Sequence, residues 1–231
     1  MRFVDPLQLG SEGNIYSSND GNNWAFQVDI GDETFVDLDE DDVGYVYALA
    51  KDGSLYQSQG NWKKWTEIVP SPGEGYDFIA IAVDDGEHSS DPEVYTYYAI
   101  EQDGETYTTN SNDNAWSYHG DIGNSSDYVD MCYDPASGIG GEADLYAIRQ
   151  TIDDMVSQST DGGKSWGTIW GNIGDDDGDA ENTGIVIGDA WGKTGYLFVL
   201  QTDGDVKYDL NSGNKFWSAL TTPTSDVSDF I

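Results

Sequence analysis

A five-bladed β-propeller built from four-stranded antiparallel blades is the fold this sequence predicts, and three observations predict it. The turn dipeptides Glu12-Gly13, Asp52-Gly53, Asp103-Gly104 and Asp203-Gly204 recur along the chain. The apolar runs Tyr47-Ala48-Leu49, Tyr98-Ala99-Ile100, Tyr146-Ala147-Ile148 and Phe198-Val199-Leu200 recur in step with them. Trp24, Trp65, Trp116, Trp166 and Trp217 mark the third register. Glycines and tryptophans advance together by roughly 40 to 51 residues, the period of one four-stranded blade.

Each element follows from local pattern. Apolar residues alternate or cluster in short runs bounded by Gly, Asp and Asn, and no long stretch keeps a 3.6-residue period, so the chain reads as strands throughout. Residues 1–9, 14–17 and 24–30 give the first blade three strands. The second blade holds four, at 34–38, 45–50, 54–58 and 65–69. The third blade runs over 77–119, the fourth over 128–173 and the fifth over 184–220. The segment Asp226-Val227-Ser228-Asp229-Phe230-Ile231 has the pattern of an opening strand, the element the first blade lacks. It is expected to complete that blade and close the ring, leaving no open sheet edge. One repeat running through all 231 residues implies a single domain.

The strictest copy of the repeat is Ser159-Thr160-Asp161-Gly162-Gly163-Lys164-Ser165-Trp166. It suits the tip of a hairpin: Asp161 accepts backbone N–H groups of its own turn, Gly163 takes a positive φ, and the Trp166 ring plugs the loop from below. Weaker copies are Ser17 with Asn19, Gly21 and Trp24; Ser58 with Trp65; Thr109 with Trp116; and Ser212 with Trp217, where Leu210 replaces the leading serine. The octet resembles the Asp-box, the bacterial neuraminidase repeat of sialidases and sortilin-like receptors. That resemblance implies a structural role for Ser159, Asp161, Gly163 and Trp166, between third and fourth strands and away from a central ligand site. Sialidases hold their substrate carboxylate with three arginines, and this chain has only Arg2 and Arg149, so it is not a sialidase.

Composition narrows the function classes. Forty-four acidic residues face 9 Lys and Arg, a formal net charge of −35, while 13% of residues are aromatic. A solvated acidic shell over an aromatic core accounts for both, and it resembles the surfaces of proteins from salt-in halophiles, where molar salt shortens the Debye length to roughly 3 Å. No basic stripe exists to neutralise phosphates, so nucleic acid is not an expected partner. No apolar span is long enough for a membrane helix, and the N-terminus lacks the apolar core of a secretory signal. Virion surface or halophile cytoplasm is the location expected. Cys132, the single cysteine, falls in an apolar strand and reads as a packing residue.

Few residues stand out as chemistry. Asp175, Asp177 and Asp179, followed by Glu181, offer alternate oxygen ligands for Ca²⁺ or Mg²⁺, without the glycine and glutamate spacing of an EF-hand; a solvated acidic loop is the other reading. No cofactor is required. Acidic pairs suited to glycoside hydrolysis occur everywhere and so single out nothing. His88 and His119 have no nucleophile motif near them. Trp62, Trp170 and Trp191 fall outside the box position; Trp170 on an outer strand and Trp191 after a first strand either pack between blades or stack on a sugar. The expectation is a non-catalytic recognition or adhesion module on a halophilic virus or cell, binding a protein or glycan. Alternatives are a purely structural particle component and, third, a glycan-active hydrolase.

Overall fold

In the computed structural model, the residues described are 7–41, 44–58, 62–73, 75–84, 94–123, 127–134, 144–150, 156–170, 173, 181–190, 193–202, 205–210 and 218–220. They form nineteen strands and no helix, arranged as five antiparallel sheets in a ring. The first blade comprises β1 (Leu7–Leu9), β2 (Asn14–Ser17) and β3 (Ala25–Asp29); the second, β4 (Phe35–Glu40), β5 (Val46–Ala50), β6 (Leu55–Ser58) and β7 (Trp65–Val69). The third comprises β8 (Phe78–Asp84), β9 (Thr96–Glu101), β10 (Glu105–Asn110) and β11 (Ser117–Asp121). The fourth comprises β12 (Tyr128–Asp134), β13 (Asp144–Arg149), β14 (Val156–Ser159) and β15 (Gly167–Trp170). The fifth comprises β16 (Asn182–Ala190), β17 (Lys193–Gln201), β18 (Val206–Leu210) and β19 (Ser218–Leu220). Each sheet is a simple meander, and the expected fourth strand of the first blade, 226–231, lies outside the described residues.

The second strand of each of blades two to four is buried on both faces because sheets cover it on either side. Tyr47, Ala48 and Leu49 are fully buried, as are Tyr146, Ala147 and Ile148. Tyr47 sits opposite Gln57 and Tyr146 opposite Gln158, and in both pairs the glutamine amide donates to the phenol oxygen at 2.9 Å. This satisfies a polar tip inside an apolar layer.

Blades join through the recurring turn glycines. Gly13, Gly53 and Gly104 have φ of 79°, 89° and 95°, which a side chain resists. An added Cβ would lie 3.0 Å from Phe35, 2.7 Å from Phe78 and 2.9 Å from Tyr128, respectively. Each glycine therefore receives the aromatic residue that opens the next blade. Backbone bonds fix the same joint: Phe35 N–H donates to Ser11 O, Phe78 to Lys51 O, Tyr128 to Gln102 O and Asn182 to Gln150 O, at 3.0–3.3 Å.

Candidate functional site

The Asp161 octet folds as a self-contained clasp. Ser159 Oγ donates to Asp161 Oδ1 at 2.8 Å and accepts the Gly163 amide at 2.7 Å. Asp161 also accepts the Ser165 amide at 2.8 Å and the Ser165 hydroxyl at 2.5 Å. Slight burial of Asp161 opposes its ionisation, but these Ser165 and Ser159 donors prevail and hold its pKa down at about 2. The Trp166 indole N–H closes the loop onto Gly163 O at 3.0 Å.

Every strong group of the octet thus serves the turn itself or its neighbour. Thr106 Oγ1 of the third blade donates to Gly163 O at 3.3 Å, and a Cβ on Gly120 of that blade would meet Gly163 O at 2.5 Å and Lys164 O at 3.0 Å. We predict that Gly120→Ala destabilises the protein by about 1–3 kcal/mol, because backbone atoms cannot yield as a flexible side chain would. Urea denaturation checks this, and an unchanged midpoint would mean that the clasp does not press on the third blade.

Two of the weaker copies use shifted residues, while Ser212 and Trp217 lie outside the described residues. In the first blade the clasp is built by Ser18 and Asp20 instead of Ser17 and Asn19: Ser18 Oγ donates to Asp20 at 3.0 Å, and Asp20 Oδ1 accepts the Asn22 and Asn23 amides at 2.9 and 2.8 Å. The loop is one residue shorter than the octet, so counting back from Trp24 misplaces its start. In the third blade Asn110 accepts the amides of Asn112 and Asp113. Trp116 there reaches back to the second blade, its indole N–H donating to Gly53 O at 2.7 Å.

Other sequence candidates are dispersed. His119 lies in β11 with its ring edge-on to Tyr98, and Trp62 sits in the β6–β7 loop at φ 55°, its carbonyl accepting the Trp65 indole N–H. Trp170 ends β15. Asp175, Asp177, Asp179, His88 and Trp191 lie outside the described residues, and among the described residues no three acidic, His or Cys side chains are grouped to hold a metal.

What the structure does assemble is an axial cavity of about 830 Å³. Leu7 and Leu9 of β1, Val36 and Leu38 of β4, Ile185 of β16 and Leu200 of β17 supply much of its apolar wall, with Asp37, Asp39 and Asp130 among its polar residues. The first strands of successive blades, β4, β8, β12 and β16, lie side by side around it.

These three aspartates are bridges between blades. Asp37 accepts Leu38 N–H of its own strand at 2.7 Å and Ile81 N–H of the next blade at 2.8 Å. Asp39 repeats the pattern two residues on, with Glu40 and Val83, both at 2.8 Å. Asp130 does the same between the fourth and fifth blades, with Met131 at 2.8 Å and Ile185 at 2.7 Å. The neighbouring first strands carry small residues at the matching position, Ala80 and Gly184; a Cβ on Gly184 would stand 3.3 Å from Asp130 Oδ2.

Burial is the dominant influence on these carboxylates. It raises Asp39 and Asp130 to about 7 against the pull of the amides, and the mutual charge of Asp39 and Asp130 adds to the rise at Asp39. Asp37 is pushed well above the ordinary carboxylate range by burial and by the charge of Asp130. Cys132, one turn of the pattern beyond Asp130, is half-buried, and desolvation holds its thiol protonated. Sequence reasoning missed this constellation. Its one local trace is the aromatic-Val-Asp opening shared by Phe35-Val36-Asp37 and Tyr128-Val129-Asp130.

No family model and no curated protein matches this chain. Solved structures do. YCF48 bound to a D1 peptide matches 92% of this chain at 13% identity and a TM-score of 0.52. A GH74 enzyme of Niastella koreensis matches 93% at 15% and 0.66, and YCF48 from Cyanidioschyzon merolae matches 90% at 17% and 0.56. The chain spans 62%, 35% and 66% of their respective lengths. At such identities the likeness is one of fold, and folds of this kind carry unrelated functions.

Proposed function

We propose that this chain is a non-catalytic recognition module, an Asp-box type propeller with a halophile-type acidic shell that binds a protein or glycan on a virion or cell surface. The observation that carries the reading is the commitment of the axial carboxylates. A glycoside hydrolase needs two carboxyl groups free to meet the substrate, whereas Asp37, Asp39 and Asp130 already accept two backbone amides apiece. The connections between first and second strands also differ from blade to blade, from 191–192 to 85–95. Connections of such unequal length and composition favour one asymmetric contact surface over five equal pockets. The D1 peptide bound by YCF48 is a precedent for peptide binding on this fold.

The test uses the full chain in molar KCl. It is applied to a glycan array and to immobilised surface proteins of halophilic virions and cells, with a panel of polysaccharides assayed for hydrolysis in parallel. Saturable binding without hydrolysis is expected. Hydrolysis that disappears in Asp130→Asn would overturn the reading in favour of an enzyme, and stoichiometric incorporation into a particle with no free-ligand binding would leave a purely structural component.

A further inference from the structure

We propose that the loop between β6 and β7 is a binding site for carboxylated sugars, in which the Trp62 indole is the stacking platform and Lys64 meets the carboxylate. This rests on the recognition reading above and supplies its ligand class and its residues.

Trp62 stands where the backbone calls for glycine. In the clasps of the first and fourth blades, the residue three places before the box tryptophan is a glycine at positive φ: Gly21 at 71° before Trp24, and Gly163 at 89° before Trp166. In the second blade that residue is Trp62, three places before Trp65, at φ 55°. It is the one non-glycine residue at positive φ among the described residues. The bond that closes the turn is the same with either residue: the Trp65 indole N–H donates to Trp62 O at 2.8 Å, as that of Trp166 donates to Gly163 O at 3.0 Å. Only a carbonyl is used, so the turn requires the conformation and not the side chain. Glycine reaches that conformation freely, whereas a bulky residue is crowded against its own backbone there. Strain of this kind persists where the side chain has a use beyond the fold.

Packing does not supply that use. Trp65 packs on the cluster of Phe35, Ala48 and Ala50, Trp116 lies in that of Phe78 and Tyr107, and Trp166 packs on that of Tyr128 and Leu145. Trp62 is half-buried and joins none of the buried clusters among the described residues. Lys63 and Lys64 follow it, both exposed, and they are the only adjacent pair among the 9 Lys and Arg of a chain with a net charge of −35.

These residue types define a ligand. An indole offers a flat apolar face to the C–H face of a pyranose ring. An ammonium beside it selects a ring that carries a negative group, and as a point charge it holds a carboxylate without the bidentate geometry of arginine. Dense polyanions, nucleic acid included, are repelled by the 44 acidic residues around it. The ligand that remains is a sugar chain with isolated carboxylates on largely neutral rings.

Calorimetry of the full chain in molar KCl tests this. The probes are oligosaccharides of alternating uronate and N-acetylhexosamine, and the same oligosaccharides methyl-esterified at their carboxylates. A Debye length of roughly 3 Å in that salt leaves only charges in contact, so any effect of esterification reports a lysine that touches the ligand. Trp62→Gly is expected to weaken uronate binding by about tenfold or more, as loss of an aromatic anchor does. Its melting temperature should be unchanged or higher, because the strain is relieved. Esterification should weaken wild-type binding by about two- to fivefold and leave Lys64→Gln unaffected. A lower melting temperature for Trp62→Gly would make the indole a packing residue and overturn the proposal. A loss on esterification that persists in Lys64→Gln would overturn it as well. Unchanged affinity in Trp62→Gly would remove this site and leave the recognition reading standing. A wild type that binds neither oligosaccharide would also remove the site, and the recognition reading falls with it only if the glycan array and the immobilised surface proteins are silent too.

Discussion

Replacing Phe78 by alanine is expected to lower the unfolding free energy by about 3–5 kcal/mol, a large fraction of what holds a domain of this size together. Phe78 is fully buried and joins two blades. Its ring stacks on Tyr76 at 5.6 Å, meets Tyr107 edge-on at 5.3 Å and lies 5.4 Å from Trp116. It also fills the space in front of Gly53, so truncation opens a cavity walled by three aromatic rings and a turn that cannot collapse without losing its positive φ. Tyr118 touches the same cluster from an outer strand but is 58% exposed, and Tyr118→Ala should cost no more than about 1 kcal/mol. Urea denaturation of the two variants decides the matter. A loss below about 1 kcal/mol for Phe78→Ala would mean that the aromatic-to-glycine contact is not what couples the blades.

The second large effect is on pH. Asp39 and Asp130 have folded pKa values of about 7, above the ordinary carboxylate value of 3.8. A raised folded value means the native state holds its protons more tightly, so the stabilisation is complete below about pH 4 and is lost as pH rises through about 7. Stability should therefore decline by a few kcal/mol across that window. The ionisable groups that interact with these two are Asp37 and Glu40 on β4 and Cys132 on β12; all can only add negative charge as pH rises. The acidic shell contributes a slope of the same sign, which molar KCl screens. Asp39→Asn keeps one acceptor oxygen while removing the titration, so its melting temperature should fall less between pH 4 and 8 than that of the wild type in the same salt. Parallel curves would show that the axial carboxylates do not titrate in the folded protein.

The sequence alone determined the number of blades, the meander within each and the positions of the turns. These are short-range properties: a glycine at positive φ, a tyrosine-led apolar run, and a serine-aspartate clasp all act within a few residues of themselves. Even there, the clasp of the first blade moved by one residue to Ser18 and Asp20, since a shorter loop keeps its hydrogen bonds and not its spacing from Trp24. The axial site was decided only by the tertiary structure. Asp37 and Asp39 meet amides 44 residues away and Asp130 meets one 55 residues away, and among 44 acidic residues nothing local marks these three as bridges between blades. Their raised pKa values come from desolvation by neighbouring blades, a quantity that exists only once the ring has formed.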